Sequence, residues 1–247
     1  MSTYGALAAF YDRLTEDVDY RSLYAYLMWH FENGGVQLRR LLDMACGTGS
    51  LSLLFAARGV ETIGMDLSAE MLERAIEKSA GFHGTAPVFL QANMSDFTVQ
   101  DQVDGLVCML DSFNYLTEPA EGVRALQCFY DALAQNGMLI FDVRPRQQLM
   151  SFDGQIFMDE TEDVCCIWRT EFDQEENICF YGMDLFIKEG ETWRRKREEH
   201  YEYAYRLRWL RDRMKEIGFQ DIRFYGDRTM ALPGPQDERV FITARKE

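Results

Sequence analysis

The feature that most narrows the fold is the run Leu41-Leu42-Asp43-Met44-Ala45-Cys46-Gly47-Thr48-Gly49-Ser50-Leu51. An apolar stretch too short for a helix meets two glycines and continues into an amphipathic stretch, the pattern of a buried strand turning sharply into a helix. Strands buried on both faces belong to parallel sheets sandwiched between crossover helices. The following residues keep that rhythm. Strands are predicted at Leu41–Ala45, Glu61–Met65, Val88–Gln91, Gly105–Leu110 and Met138–Val143, separated by helices at Leu51–Arg58, Ala69–Lys78 and about Glu121–Ala134. Ahead of them, Tyr20–Phe31 carries Leu23, Tyr24, Leu27, Met28 and Phe31 at helical spacing and stops at Gly34-Gly35. The reading is an α/β, doubly wound sheet.

After Pro145 the texture becomes alternating and aromatic, with strands predicted at Gln155–Met158, Val164–Phe172, Ile178–Lys188 and Thr192–Tyr205. Lys188-Glu189-Gly190-Glu191 reads as a hairpin turn between the last two. This is an antiparallel sheet inserted late in the core. Arg206–Ile217 returns to helical spacing and ends at Gly218, and Gln220–Tyr225 with Arg239–Arg245 are expected to close the chain as a hairpin at the sheet edge.

Charge and cysteine usage exclude some partners. A net charge of −15 opposes binding through a nucleic-acid phosphate backbone or an anionic membrane, because such binding rests on many Lys and Arg. Arg194-Arg195-Lys196-Arg197 is the local exception, and acidic neighbours on both sides make it a salt-bridged surface rather than an anion site. Cys46, Cys108, Cys128, Cys165, Cys166 and Cys179 form no CxxC pair and read as reduced thiols. Met1-Ser2-Thr3-Tyr4-Gly5-Ala6 lacks a basic segment leading into an apolar run, and no long uninterrupted apolar stretch follows, so a cytoplasmic location is expected. No HxxxH, HExxH or clustered Cys and His points to a metal.

The glycine turn carries the chemistry. Gly47 and Gly49 allow backbone to approach a ligand closely. Asp43, inside the strand end, suits an ammonium and would repel a pyrophosphate. Ser52 stands where a dinucleotide fingerprint has its third glycine, and Asp66 ends the next strand, where it can accept from both ribose hydroxyls. Together these favour an adenosyl ligand without phosphates over a dinucleotide.

Asp43-x-Ala45-Cys46-Gly47-x-Gly49 and Gly64-Met65-Asp66-Leu67-Ser68-x-x-Met71-Leu72 resemble the first two motifs of class I S-adenosylmethionine-dependent methyltransferases. Gln91-Ala92-Asn93-Met94-Ser95-Asp96-Phe97 resembles the third, with Asn93 where Asp is common. Met109-Leu110-Asp111-Ser112-Phe113-Asn114-Tyr115-Leu116 is similar to the segment beside the sulfonium, and Asn136–Val143 to the fifth strand with its turn. The likeness covers about residues 4–145. A bacterial branch of the family and, more distantly, the N-methyltransferases of macrolide amino sugars are the nearest in pattern, sharing the late insertion.

The resemblance implies a Rossmann-like, seven-stranded methyltransferase sheet divided as an N-terminal helical lid (1–35), a cofactor-binding core (36–150), a β insertion over the acceptor site (151–205) and a closing helix and strands (206–247). It implies S-adenosylmethionine as cofactor, S-adenosylhomocysteine as product, and contacts from Tyr11, Tyr20, Asp43, Ala45, Cys46, Gly47, Gly49, Asp66, Leu67, Met71, Asn93, Met94, Leu110, Asp111 and Asn114. Methyl transfer is largely a matter of alignment, though an amine or hydroxyl acceptor must also shed a proton. Tyr11 and Tyr115 are expected to flank the methyl group, and His200 is a candidate base; His30 and His83 have no constellation around them. A small-molecule acceptor is expected. An NAD-dependent oxidoreductase, a cofactor-binding sensor without transfer activity, and a tRNA or protein methyltransferase are the competing readings, and monomer and homodimer are equally open.

Overall fold

The computed structural model describes residues 7–247; the reading of Met1–Ala6 lies outside the described residues. A 3-10 turn at Leu7–Ala9 and a short helix α1 (Tyr11–Leu14) lead into α2 (Tyr20–Asn33). Asp19 starts α2 by accepting the backbone N–H groups of Arg21 and Ser22 at 3.1 and 3.0 Å, and Gly35 leaves it at φ +71°.

Strands and helices then alternate as β1 (Arg40–Met44), α3 (Ser50–Ala56), β2 (Glu61–Asp66), α4 (Ala69–Ser79), β3 (Val88–Gln91), β4 (Val103–Cys108), α5 (Pro119–Ala132) and β5 (Leu133–Val143). A helix too short for periodicity to reveal, α6 (Arg146–Ser151), precedes β6 (Ile156–Glu160), β7 (Val164–Asp173), β8 (Ile178–Glu189) and β9 (Thr192–Tyr203). The chain closes with α7 (Leu207–Ile217), β10 (Gln220–Tyr225) and β11 (Val240–Arg245).

Seven strands form one sheet in the order β10-β11-β5-β4-β1-β2-β3. The pairs β1/β2, β1/β4, β2/β3 and β4/β5 are parallel, whereas β11 runs antiparallel to both β5 and β10. The expected closing hairpin is present at the sheet edge, with β10 outermost and β11 between it and β5. The reason is burial, since Val240–Ala244 is closed off on both faces, whereas β10 is mostly exposed, as edge strands commonly are. Leu41, Leu42, Leu106, Val107, Leu139, Ile140 and Phe141 are fully enclosed and make the centre of the core.

The second sheet is antiparallel, in the order β6-β7-β8-β9. Its strands alternate, with Cys179, Tyr181, Met183 and Leu185 of β8 on the inner face. Leu7, Phe10, Tyr11 and Leu14 pack there against Val164, Cys166, Met183 and Leu185, so the N-terminal segment is held under the insertion. On the outer face Asp184 accepts from Arg169, Arg195 and Arg197; Arg194, whose register partner is Ile187, pairs with Glu189 near the hairpin turn. The arginine run is therefore salt-bridged, as its acidic neighbours implied.

Candidate functional site

A cavity of about 510 Å³ opens at the C-terminal tips of β1, β2, β3 and β4, where ligands of open parallel sheets bind. Of the residues expected to hold the cofactor, Tyr11, Ala45, Gly47, Asp66, Leu67, Met71, Asn93, Met94 and Leu110 line it, and Tyr115 lines it as well. Tyr20, Asp43, Cys46, Gly49, Asp111, Asn114 and His200 do not reach its wall. Gln91, Glu70, Ser112 and Glu121 do, and the sequence reading had assigned them no role. Their signal was positional: each sits at a strand tip or in the turn or helix that follows one.

The first turn is folded tightly by Ala45, Gly47 and Gly49 at φ 57°, 54° and 74°. A Cβ on Gly47 would meet nothing within 4 Å, so its backbone is open to the cavity. Gly49 has a different reason to be glycine, because a Cβ there would lie 2.7 Å from the Phe89 ring and 3.0 Å from Ala75. Cys46 is turned inward over Gly64 and donates its N–H to Met65 O at 3.0 Å.

Asp66 ties this turn to the next strand. Its Oδ2 accepts from Gly47 N–H and its Oδ1 from Ser68 N–H, both at 2.8 Å, while the carboxylate still borders the cavity. Burial raises its pKa, against the N–H bonds from Ser68, Gly47 and Leu67 that favour the charged form. Asp43 lies deeper, 2% exposed, accepting the Ser52 hydroxyl at 2.5 Å. Its burial, with a further push from Asp66, lifts its pKa to about 7. At β3, Asn93 Oδ1 accepts from the Ser95 N–H at 2.9 Å and hydroxyl at 3.0 Å, and the Gln91 amide donates to Leu67 O at 2.9 Å.

Behind the part of the wall that Tyr11 and Tyr115 line stand residues from distant parts of the chain. Asp12, one residue past Tyr11, accepts from the Thr48 hydroxyl at 2.5 Å and pairs with Lys78 at 2.6 Å, so the N-terminal segment is fastened to the glycine turn. Tyr20 is packed below, where burial raises its pKa to about 12. His200 is 2% exposed behind Tyr115, whose hydroxyl stands 3.4 Å from its Nδ1.

Asp111 and Asn114 join the core to the insertion. Leu110 and Asp111 both adopt left-handed backbone, at φ 59° and 54°, which turns Asp111 inward onto Arg144 and Arg239. Burial would raise its pKa, but the two guanidinium groups outweigh it and hold it at about 2. The Asn114 amide donates to Tyr203 O at 2.9 Å and to Arg144 O at 3.2 Å, and its oxygen accepts the Arg144 N–H at 3.0 Å.

Among the described residues, the wall carries no Lys or Arg to receive a pyrophosphate, and no group of His, Cys, Asp and Glu is placed to hold a metal ion. The open side of Gly47 and the carboxylate at the tip of β2 fit an adenosyl group without phosphates. Fold and site together define a nucleoside-binding enzyme of the doubly wound class.

The profile of the Methyltransferase domain matches residues 41–137. The chain is 32% identical to YqeM of Bacillus subtilis (strain 168), provisionally named a methyltransferase, over 98% of this chain and 97% of that one. An S-adenosylmethionine-dependent methyltransferase from Clostridium acetobutylicum superposes with TM-score 0.86 at 25% identity, covering 98% of both chains. CalS10, an amino pentose methyltransferase from Micromonospora echinaspora, superposes with TM-score 0.75 at 18% identity, covering 98% of this chain and 96% of that one. The protein belongs to the S-adenosylmethionine-dependent methyltransferases, and S-adenosylmethionine is its cofactor.

Proposed function

We propose that this enzyme methylates the nitrogen of a small-molecule amine. The observation that carries the reading is the charge of the cavity: Asp66, Glu70 and Glu121 line it with no cationic side chain among the described residues. A carboxylate or phosphate acceptor would enter without a counter-ion at a desolvation cost, whereas an ammonium is attracted. The amino pentose named for CalS10 is consistent with that chemistry.

When bound, the cofactor supplies an electrophilic methyl group; the protein's part is to bind, align and exclude water. Asp66 is assigned to the ribose hydroxyls, Asn93 and Met94 to the adenine, and Gly47 to the amino-acid end, with Ala45, Leu67, Met71 and Leu110 closing the nucleoside slot. Asp43 acts from beneath through Ser52 and the first turn, and Tyr20, Cys46, Gly49, Asp111 and Asn114 support the walls. Tyr11 and Tyr115, which line the cavity, are assigned to flank the acceptor. The division into lid (1–35), core (36–150), insertion (151–205) and closing segment (206–247) follows from the same reading. Six thiols without a disulfide, and no helix among the described residues long and apolar enough to cross a membrane, agree with work in the cytoplasm.

Incubating the protein with methyl-labelled S-adenosylmethionine and a cell extract, followed by mass spectrometry, tests this. One labelled small amine is expected. Label only in RNA or protein would overturn the small-molecule reading, and S-adenosylhomocysteine binding without any labelled product would favour a sensor.

A further inference from the structure

The inner face of β9 carries Glu198, His200 and Glu202, three titratable residues at a period of two, turned toward the core. A sheet face packed on a core usually carries apolar side chains there, so the departure asks for a reason. Glu202 has one in the ionic junction: it is buried beside Tyr181, Arg144 and Asp111, and burial, with Asp111 adding, raises its carboxyl well above the usual range.

Glu198 and His200 point elsewhere. The His200 Nδ1 edge meets the Tyr115 hydroxyl at 3.4 Å, and its Nε2 stands 3.5 Å from Glu198 Oε2. The other Glu198 oxygen, Oε1, accepts the backbone N–H of Leu7 at 3.1 Å. Tyr115 and His200 meet edge to face, with ring centroids 5.9 Å apart. Only Tyr115 of the three touches the cavity. Phenol, imidazole and carboxylate thus run in line from the cavity wall to the N-terminal segment that covers it.

We propose that Tyr115, His200 and Glu198 form a proton relay that deprotonates the acceptor and is completed only when the N-terminal segment is seated on Glu198. The proposal rests on the amine reading, because an ammonium has no lone pair until a proton leaves. One N–H bond of the ammonium breaks, its electron pair staying on nitrogen and its proton going to the Tyr115 oxygen. The Tyr115 hydroxyl proton passes at the same time to His200 Nδ1. The imidazolium formed keeps its Nε2–H toward the Glu198 carboxylate, which balances the new charge. After product leaves, the proton returns to water by the same path. Tyr115 is the catalytic residue; His200 and Glu198 act through it, and Glu198 is the positioning residue that also senses the lid.

The relay requires neutral His200 to carry its proton on Nε2, leaving Nδ1 as acceptor. Among the described residues, Tyr115 from the loop after β4 and Glu198 from its own strand face its ring, Tyr181 is its register partner on β8, and Glu202 follows two residues on along its strand. With only three histidines in the chain, long-range proton–nitrogen NMR of the free protein can assign each tautomer. The expected result is an Nε2–H tautomer of His200, with Nδ1 left as acceptor beside the Tyr115 hydroxyl. Tyr115→Phe should cut labelled-methyl transfer to extract amines by about 100-fold or more, the usual scale of general-base catalysis, while S-adenosylhomocysteine affinity stays unchanged.

An Nδ1–H tautomer, or a Tyr115→Phe variant that transfers methyl as fast as the wild type, would overturn the relay. If that variant does not fold, the wild-type tautomer decides alone. Failure of the amine reading shows separately, as absence of any labelled amine with wild-type protein.

Discussion

The two walls of the cavity are built on different principles. The cofactor wall is local and made of backbone: Gly47 and Ser68 donate to Asp66, Cys46 to Met65 O, and Ala92 to Asp66 O, all within three neighbouring strand tips. The facing wall, where Tyr115 lies, is backed by side chains far apart in sequence, with Tyr115 and His200 85 positions apart and Leu7 and Glu198 191 positions apart. Its foundation is the buried ionic junction of Asp111, Arg144, Arg239 and Asp142. A site of this kind keeps one ligand constant through its backbone and leaves the other to exchangeable side chains.

If the facing wall depends on that junction, Asp111→Ala should be the most damaging change, costing about 3 kcal/mol in urea unfolding because it removes the carboxylate from half-buried Arg144 and leaves Arg239 with Asp142 alone. The wild type should also lose this contribution as pH falls from about 4 toward 2, since Asp111 titrates lower folded than unfolded. A smaller effect belongs to Asp43, whose folded pKa of about 7 lies above its unfolded value. The folded state then holds a proton that the unfolded state has released, so stability should drop by about 2 kcal/mol as pH rises from 5 to 7. Asp43→Asn should flatten that slope in melting curves; an unchanged slope would mean Asp43 is ionised throughout.

Gly49→Ala should cost about 1–3 kcal/mol through overpacking against Phe89. Its affinity for S-adenosylhomocysteine should hardly change, in contrast to Gly47→Ala, whose added methyl enters the cavity. Calorimetry on both variants separates a packing glycine from a ligand-facing one. The least effect is expected from Arg197→Ala, on the outer face with its side chain 71% exposed, within about 0.5 kcal/mol by thermal melting.

The same contrast governs what the sequence made legible. The strand, glycine turn and helix around Gly47 are written in consecutive residues, and so is the Asp66 strand tip; both fold as expected. Gly49 was legible as an obligatory glycine but not as Phe89's neighbour, a contact across strands. Asp111 and Asn114 stand in the family-like segment, yet they turn inward because Arg144, Arg239 and Tyr203 arrive from elements whose placement no local pattern reveals. His200 on an alternating strand could face either side; the partner across the interface, Tyr115, fixes which. The position of β11 between β5 and β10 is likewise a property of strand order, which periodicity does not encode.

The central claim is that Asp66 grips the cofactor's ribose at the tip of β2. Calorimetric titration of S-adenosylhomocysteine into the wild type and Asp66→Ala tests it most directly. The account predicts tight binding to the first and a loss of about 2–3 kcal/mol, about 30- to 150-fold, in the second. Equal affinity for both would contradict it.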